Sequence, residues 1–178
     1  MTDEILATDR LILRRWRESD VTPYAAMCAD AEVMRHIGDG SIRSAAETRA
    51  SVARIEAAWD AHGFGLFALE RRDDGRFIGY TGLSIPTFLP EVMPSVEIGW
   101  RLSRENWGQG LASEAAAAAR DFAFERKGLA DLVSIFQHGN HASARIASKI
   151  GMRSERETID PGSGRSVHVY RIYAGERS

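Results

Sequence analysis

The stretch Trp107-Gly108-Gln109-Gly110-Leu111-Ala112-Ser113-Glu114-Ala115 sets two glycines around one residue, where a strand-like run (Ser95 to Leu102) gives way to an alanine-rich helical pattern. Glycine lets the backbone turn sharply and lets a ligand come close. The first turn of the helix leaves N–H groups unpaired at the positive end of its dipole, a setting suited to phosphate oxygens. No lysine or arginine directly follows Gly110, so the backbone rather than a side chain would hold such an anion. Packing alone is the other reading of Gly-x-Gly at a turn of this kind. Further groups could do chemistry. Glu97 is a carboxylate on a mostly apolar, alternating run. Asn140 and Ser143 stand three apart at a helix start and share a face; capping is the ordinary role of such an asparagine. His138 and His141 are also three apart, but zinc needs more ligands, so no metal site is expected. Cys28 reads as a small apolar group. Arg14, Arg15 and Arg17 read as solvated charge at a strand edge, with substrate contact the lesser alternative.

The elements that must position these groups follow from periodicity and punctuation. Arg10 to Arg17 reads as a strand, and Glu18-Ser19-Asp20 opens a helix to about Cys28. Ser44-Ala45-Ala46-Glu47 fits a capping box, with Val52, Ile55, Ala58 and Trp59 on one face and Gly63 at the end. Phe64–Arg71 and Phe77–Ile85 form a hairpin about Asp73-Asp74-Gly75. Pro86, Pro90 and Pro94 break a loop carrying Phe88, Leu89 and Met93, which is expected to be exposed. A helix spans Leu111 to about Lys127, then a strand Leu132–Gln137, a helix from Asn140 or His141 to near Gly151, and strands at about Arg153–Ile159 and Val167–Tyr173. The order β α α β β β α β α β β implies one mixed sheet covered by helices.

A chain of 178 residues suits one domain. Its net charge of −2 and scattered arginines give no global attraction to nucleic acid or anionic lipid. One cysteine excludes an intrachain disulfide. Met1-Thr2-Asp3-Glu4 lacks a signal-peptide pattern, and no run reaches membrane-spanning length, so a cytoplasmic protein is expected.

Thr8-Asp9-Arg10-Leu11-Ile12-Leu13-Arg14, Ile78-Gly79-Tyr80-Thr81-Gly82-Leu83, Glu97-Ile98-Gly99-Trp100, the Trp107–Ala115 loop, Asn140-His141-Ala142-Ser143 and Lys149-Ile150-Gly151-Met152 occur in order at suitable spacing. Together they resemble the GNAT superfamily of acetyl-CoA-dependent N-acetyltransferases, and within it the branch of ribosomal-protein N-terminal acetyltransferases. The resemblance implies an α/β fold of the α+β type. Its mixed, mostly antiparallel sheet splays between the fourth and fifth strands and carries helices on both faces. One domain over 1–178 is expected, with its core at about 8–174. The implied reaction moves acetyl directly from acetyl-CoA to a primary amine in a ternary complex, without metal.

The resemblance also implies roles. Gly108 and Gly110, with the N–H groups of Gln109, Leu111, Ala112 and Ser113, would hold the pyrophosphate. Trp107 would flank the loop or pack in the core. The backbone of Trp100, Arg101 and Leu102 would pair with the pantetheine arm. Asn140 would bond the pantetheine amide or cap its helix. Ser143 would protonate the leaving thiolate or lie on the surface. Glu97 would be the general base, through water, or else pair with a buried arginine or cap nearby backbone. Glu105 departs from the Gln or Arg often found three residues before the first glycine. The acceptor is open between a protein N-terminus and a small amine. The Pro86–Pro94 loop would line the amine pocket or a homodimer interface.

Two rivals remain. A dinucleotide-binding enzyme would also use Gly108-x-Gly110, but Ser113 stands at the third glycine position and the next strand ends at Gln137-His138 rather than at an acid. A non-catalytic acyl-CoA-binding module would keep the loop and Asn140; the presence of Glu97 and Ser143 favours an enzyme.

Overall fold

Local signals set most of the element ends in the computed structural model, which describes residues 5–176; Met1–Glu4, on which the reading of the N-terminus rests, and residues 177–178 lie outside the described residues. Strands β1 (Leu6–Ala7) and β2 (Leu11–Arg14) precede helices α1 (Val21–Cys28), α2 (Ala31–Met34) and α3 (Ala45–His62). Strands β3 (Leu66–Arg71), β4 (Phe77–Ser84) and β5 (Val96–Leu102) lead to α4 (Leu111–Asp121). Then come β6 (Asp131–Gln137), α5 (His141–Lys149), β7 (Arg153–Ile159) and β8 (Ser166–Tyr173). The expected capping box opens α3: Ser44 Oγ accepts from Glu47 N at 3.3 Å, and Glu47 Oε2 accepts from Ser44 N at 2.8 Å. Gly63, at φ 69°, closes it. The short β1 and α2 were not expected. The predicted Leu111–Lys127 helix is α-helical only to Asp121 and then becomes a π turn over Phe122–Arg126, where Phe122, Ala123 and Phe124 are all buried.

The strands form one sheet in the order β1-β2-β3-β4-β5-β6-β8-β7. Every neighbouring pair is antiparallel except β5–β6. Successive residues of a strand point to opposite faces. Tyr80 meets Tyr24 of α1 at 6.0 Å between ring centroids. Phe67, the register partner of Thr81, meets Phe122 beyond α4 at 5.2 Å. Helices therefore cover both faces, as expected. Ala115, Ala116 and Ala119 are fully buried, so α4 lies close on the sheet. Among the described residues no helix is long and apolar enough to cross a membrane.

The splay has a definite origin. Strands β5 and β6 pair only at Val96↔Leu132 and Glu97↔Val133, whereas β4 and β5 stay in register as far as Gly79↔Leu102. Beyond Glu97 the two parallel strands diverge.

Two expectations need correction. Arg14 is not solvated: it is 4% exposed, gives Asp20 a two-nitrogen fork at 2.7 and 2.9 Å, and reaches Glu70 from Nε at 2.8 Å. The cause is a 3-10 turn at Glu18–Asp20, which tucks Asp20 inward against β2. Arg15 pairs with Glu56 and Asp60, and Arg17 remains on the surface beside Glu70. In the proline-bounded loop, Leu89 is buried with Val92 against Val133, Val167 and Val169, leaving Phe88 and Met93 exposed. An apolar side chain in a loop can serve as its anchor as well as its contact surface.

Candidate functional site

The loop before α4 is built to leave backbone donors open. Gly108 (φ 70°) and Gly110 (φ 76°) both take the left-handed conformation, which other residues adopt only with strain. Gly110 is the N-cap of α4 and offers no side-chain cap. The first helical bond runs from Glu114 N to Gly110 O, at 3.1 Å. The N–H groups of Leu111, Ala112 and Ser113 come before it, so the helix supplies them no acceptor. A Cβ at Gly108 would meet nothing within 4 Å, so the space over the loop is open.

A clamp fixes this loop. Glu114 accepts from Thr8 Oγ1 at 2.6 Å, Arg10 N at 2.9 Å and Arg10 Nε at 2.7 Å. Arg10 Nη1 in turn donates to Gln109 O at 2.8 Å. Partial burial would raise the Glu114 carboxyl, but the bonds from Thr8 and Arg10 outweigh it and hold the group ionised below its ordinary range. Gln109 turns away: its Nε2 donates to Glu105 O at 2.9 Å, and it lines a separate hollow with Arg10, Arg71 and Arg72.

The open donors face a cleft of about 540 Å³. One wall is the end of β5, Trp100–Leu102; the head is Trp107, Gly108 and Gly110 with Leu111–Ser113; the far wall is Asn140 and Ser143 of α5. Thus every residue expected at the site lines it except Glu97 and Gln109. Trp107 is 47% exposed and donates from Nε1 to Leu102 O at 2.9 Å, so it forms cleft wall rather than core. Asn140 caps α5 by accepting from Ser143 N at 3.2 Å. Ser143 Oγ accepts from Trp100 Nε1 at 3.3 Å, bridging the gap between the splayed strands and α5.

Sequence reasoning missed other lining residues. Arg145 and Lys149 reach the cleft from α5; they are four apart, so they share a helical face, a signal present in the sequence. Glu32, Val33 and Arg35–Ile37, at and after α2, close the other end. Arg165, beyond the Pro161–Gly164 turn, braces that stretch: it donates to Asp39 O at 2.5 Å, Arg35 O at 3.3 Å and Gln137 Oε1 at 2.9 Å. No local pattern marked it.

Glu97 stands at the last register pair before the strands part. Its carboxylate accepts from Ser84 Oγ at 3.3 Å and from the backbone N–H of Ile135. Burial pushes its carboxyl up to about 7, and these two bonds pull it back only in part. Of the alternatives for Glu97, a backbone contact is present, and among the described residues no arginine forms an ion pair with it.

Arg101, expected only as a backbone contact, also brings its side chain. Its guanidinium lies over the Tyr80 ring at 5.2 Å, with Nη1 beside Cys28 Sγ at 3.8 Å and Met34 Sδ at 3.6 Å. Cys28 itself is buried, as expected. The histidines group differently from the expectation. His138 joins His168 and Glu157, not His141, with ligand atoms within 4.8 Å of one another. The two imidazoles stack at 5.0 Å and 24°, and His168 Nδ1 lies 3.4 Å from Glu157. In-plane lone pairs of stacked rings do not converge on one ion.

Comparison with known proteins places this geometry in a family. The profile of the acetyltransferase (GNAT) domain matches residues 10–153. An uncharacterized protein of Bacillus subtilis, YkkB, is 32% identical over 83% of this chain and 84% of its own. The crystal structure of an acetyltransferase from Agrobacterium tumefaciens has a TM-score of 0.82 at 29% identity, covering 97% of this chain and 96% of that one. RimL, a ribosomal-protein α-N-acetyltransferase solved with coenzyme A, shares the fold with a TM-score of 0.77 at 18% identity, over 96% of this chain and 98% of its own.

Proposed function

The chain belongs to the acetyltransferase (GNAT) family, and we propose that it moves acetyl from acetyl-CoA directly to a primary amine, with the cleft as its active site. The observation that carries this reading is the pairing of an uncapped, glycine-entered helix with a half-buried carboxyl near neutrality at the point where β5 and β6 part. The residues present fit the cofactor. Leu111, Ala112 and Ser113 offer N–H groups to a pyrophosphate over open glycine backbone. Arg145 and Lys149 add positive charge for further phosphate, and the free edge of β5 from Trp100 to Leu102 suits an amide-bearing arm. Acetyl-CoA supplies an activated acetyl thioester.

Glu97 receives the proton that the amine gives up. A base whose pKa lies near the operating pH is the efficient one, and about 7 meets that condition. Because Glu97 is set back from the cleft wall, a water carries the proton to it. Ser143, held by Trp100 across the splay, supplies a proton on the leaving sulfur's side. The acceptor is a protein N-terminal α-amine or a small-molecule amine.

Kinetics with Glu97→Gln test the reading. Wild-type kcat/KM should rise with pH to a plateau above about 7, because the ionised carboxylate is the active form. The variant should lose roughly 10²–10⁴ in rate and lack that rise. Full activity with an unchanged pH profile would remove Glu97 from the mechanism.

A further inference from the structure

Among the described residues, Arg101 is a largely enclosed cation with no counter-ion. It is cut off from much of the solvent, and its Nε is buried with no hydrogen-bond partner. Its Nη1 meets only two sulfurs, which are weak acceptors. Among the described residues no carboxylate lies within ion-pair distance of it. Elsewhere the chain neutralises its enclosed arginines: Arg14 has Asp20 and Glu70, and Arg171 has Asp131 and Glu155. A guanidinium stays charged at any working pH, and a shielded charge without a partner is costly. The cation–π contact with Tyr80 offsets part of that cost, and supplies no acceptor for the N–H groups.

Position then says what the charge serves. Arg101 is among the residues at the cleft's β5 wall, its guanidinium turned to the side of α1 beside Tyr80, Cys28 and Met34, and Glu97 lies four residues earlier on the same strand. Both side chains are on alternate positions of one strand, hence on one face, roughly 13 Å apart at their Cα atoms. Tyr80 stands opposite Arg101 in the register of β4 and β5, as Ser84 stands opposite Glu97, so both charged side chains are backed by the same neighbouring strand. An amine brought to Glu97 therefore has a cationic group a short molecule's length away.

We infer that Arg101 binds a carboxylate on the acceptor, so that the substrate is an amine that also bears a carboxylate. This rests on the acetyl-transfer reading. Two sources share the chemistry, a free amino acid and a peptide whose first residue is acidic. A planar carboxylate accepts two parallel bonds from a guanidinium, which lysine or neutral donors cannot match.

The test follows thiol release from acetyl-CoA with matched amines: free amino acids, their carboxamides, and short peptides starting with Asp or Asn. Wild type should favour acid over amide, or Asp over Asn peptides, by roughly 30-fold or more in kcat/KM, and in Arg101→Gln that ratio should collapse towards one. The arm that shows the preference identifies the source. Thermal unfolding with N-acetyl amino acids and their amides gives a readout independent of turnover: the acids should raise Tm in wild type and not in Arg101→Gln. Circular dichroism confirms that the variant is folded. Turnover with no preference for the acid, or a preference intact in the variant, would overturn the inference and leave acetyl transfer standing. Carboxylate-dependent stabilisation without turnover of any amine would keep the anion site and sink the acetyl-transfer reading. Neither turnover nor stabilisation would sink both.

Discussion

Arg14 and Arg101 lie on the same sheet, both largely withdrawn from water, under opposite electrostatic arrangements. Arg14 is enclosed by Asp20 and Glu70, which take up its fork and its Nε. Arg101 has an aromatic face and two sulfurs, and one nitrogen with no partner. The first arrangement is complete in the folded chain and ties β2 to β3 and to the turn before α1. The second is incomplete without something that enters the cleft. Glu97 belongs with the second: its neighbours are a hydroxyl and an amide, not a cation. Enclosed charge in this molecule thus sorts into self-neutralised groups that hold the fold and unneutralised ones beside the cleft.

Stability measurements can break that comparison. Arg14→Met should cost about 3–5 kcal/mol in urea unfolding, because buried Asp20 is left without a counter-ion and Glu70 keeps only the exposed Arg17. The same change at Arg101 removes a charge that has no counter-ion, so it should cost no more than about 1 kcal/mol. Equal losses at the two sites would erase the distinction.

Glu97 sharpens it with pH. Its folded pKa is raised from 4.5 to about 7 by burial. Below pH 4.5 both states hold the proton, and the residue adds nothing. From 4.5 to about 7 the folded chain keeps a proton that the unfolded chain has lost, so stability falls as pH rises; above about 7 the penalty is complete. Glu97→Gln should therefore gain about 1–3 kcal/mol over wild type between pH 4 and pH 8. No pH-dependent gain would mean that the carboxylate is not held at the cost described.

These charges also mark where sequence reading stopped. The Gly108–Gly110 turn, the Ser44–Glu47 box and the Asn140 start were legible because each is a local rule of conformation, complete within a few residues. The parting of β5 and β6 came from family resemblance, and the register pairs give it a position at Glu97. The state of an arginine was not legible. Arg14 reads as surface charge until Asp20 and Glu70 are brought in from a turn and a neighbouring strand. Arg101 reads as one strand residue among several until Cys28, Met34 and Tyr80 surround it. The same holds for Arg165, whose partners Arg35, Asp39 and Gln137 lie far off in sequence, and for the grouping of His138 with His168, which the pairing of β6 with β8 brings together.

Calorimetric titration with acetyl-CoA, on wild type and on Gly110→Trp, tests the central claim most directly. A tryptophan there is strained at φ 76°, and its Cβ starts 3.5 Å from Arg10 Nη2 at the head of the cleft, so its ring crowds the α4 N-terminus. The expected result is micromolar binding by wild type that disappears in a variant still folded by circular dichroism. Absence of binding to folded wild type, or undiminished binding by the variant, would contradict the assignment of the cofactor to this loop.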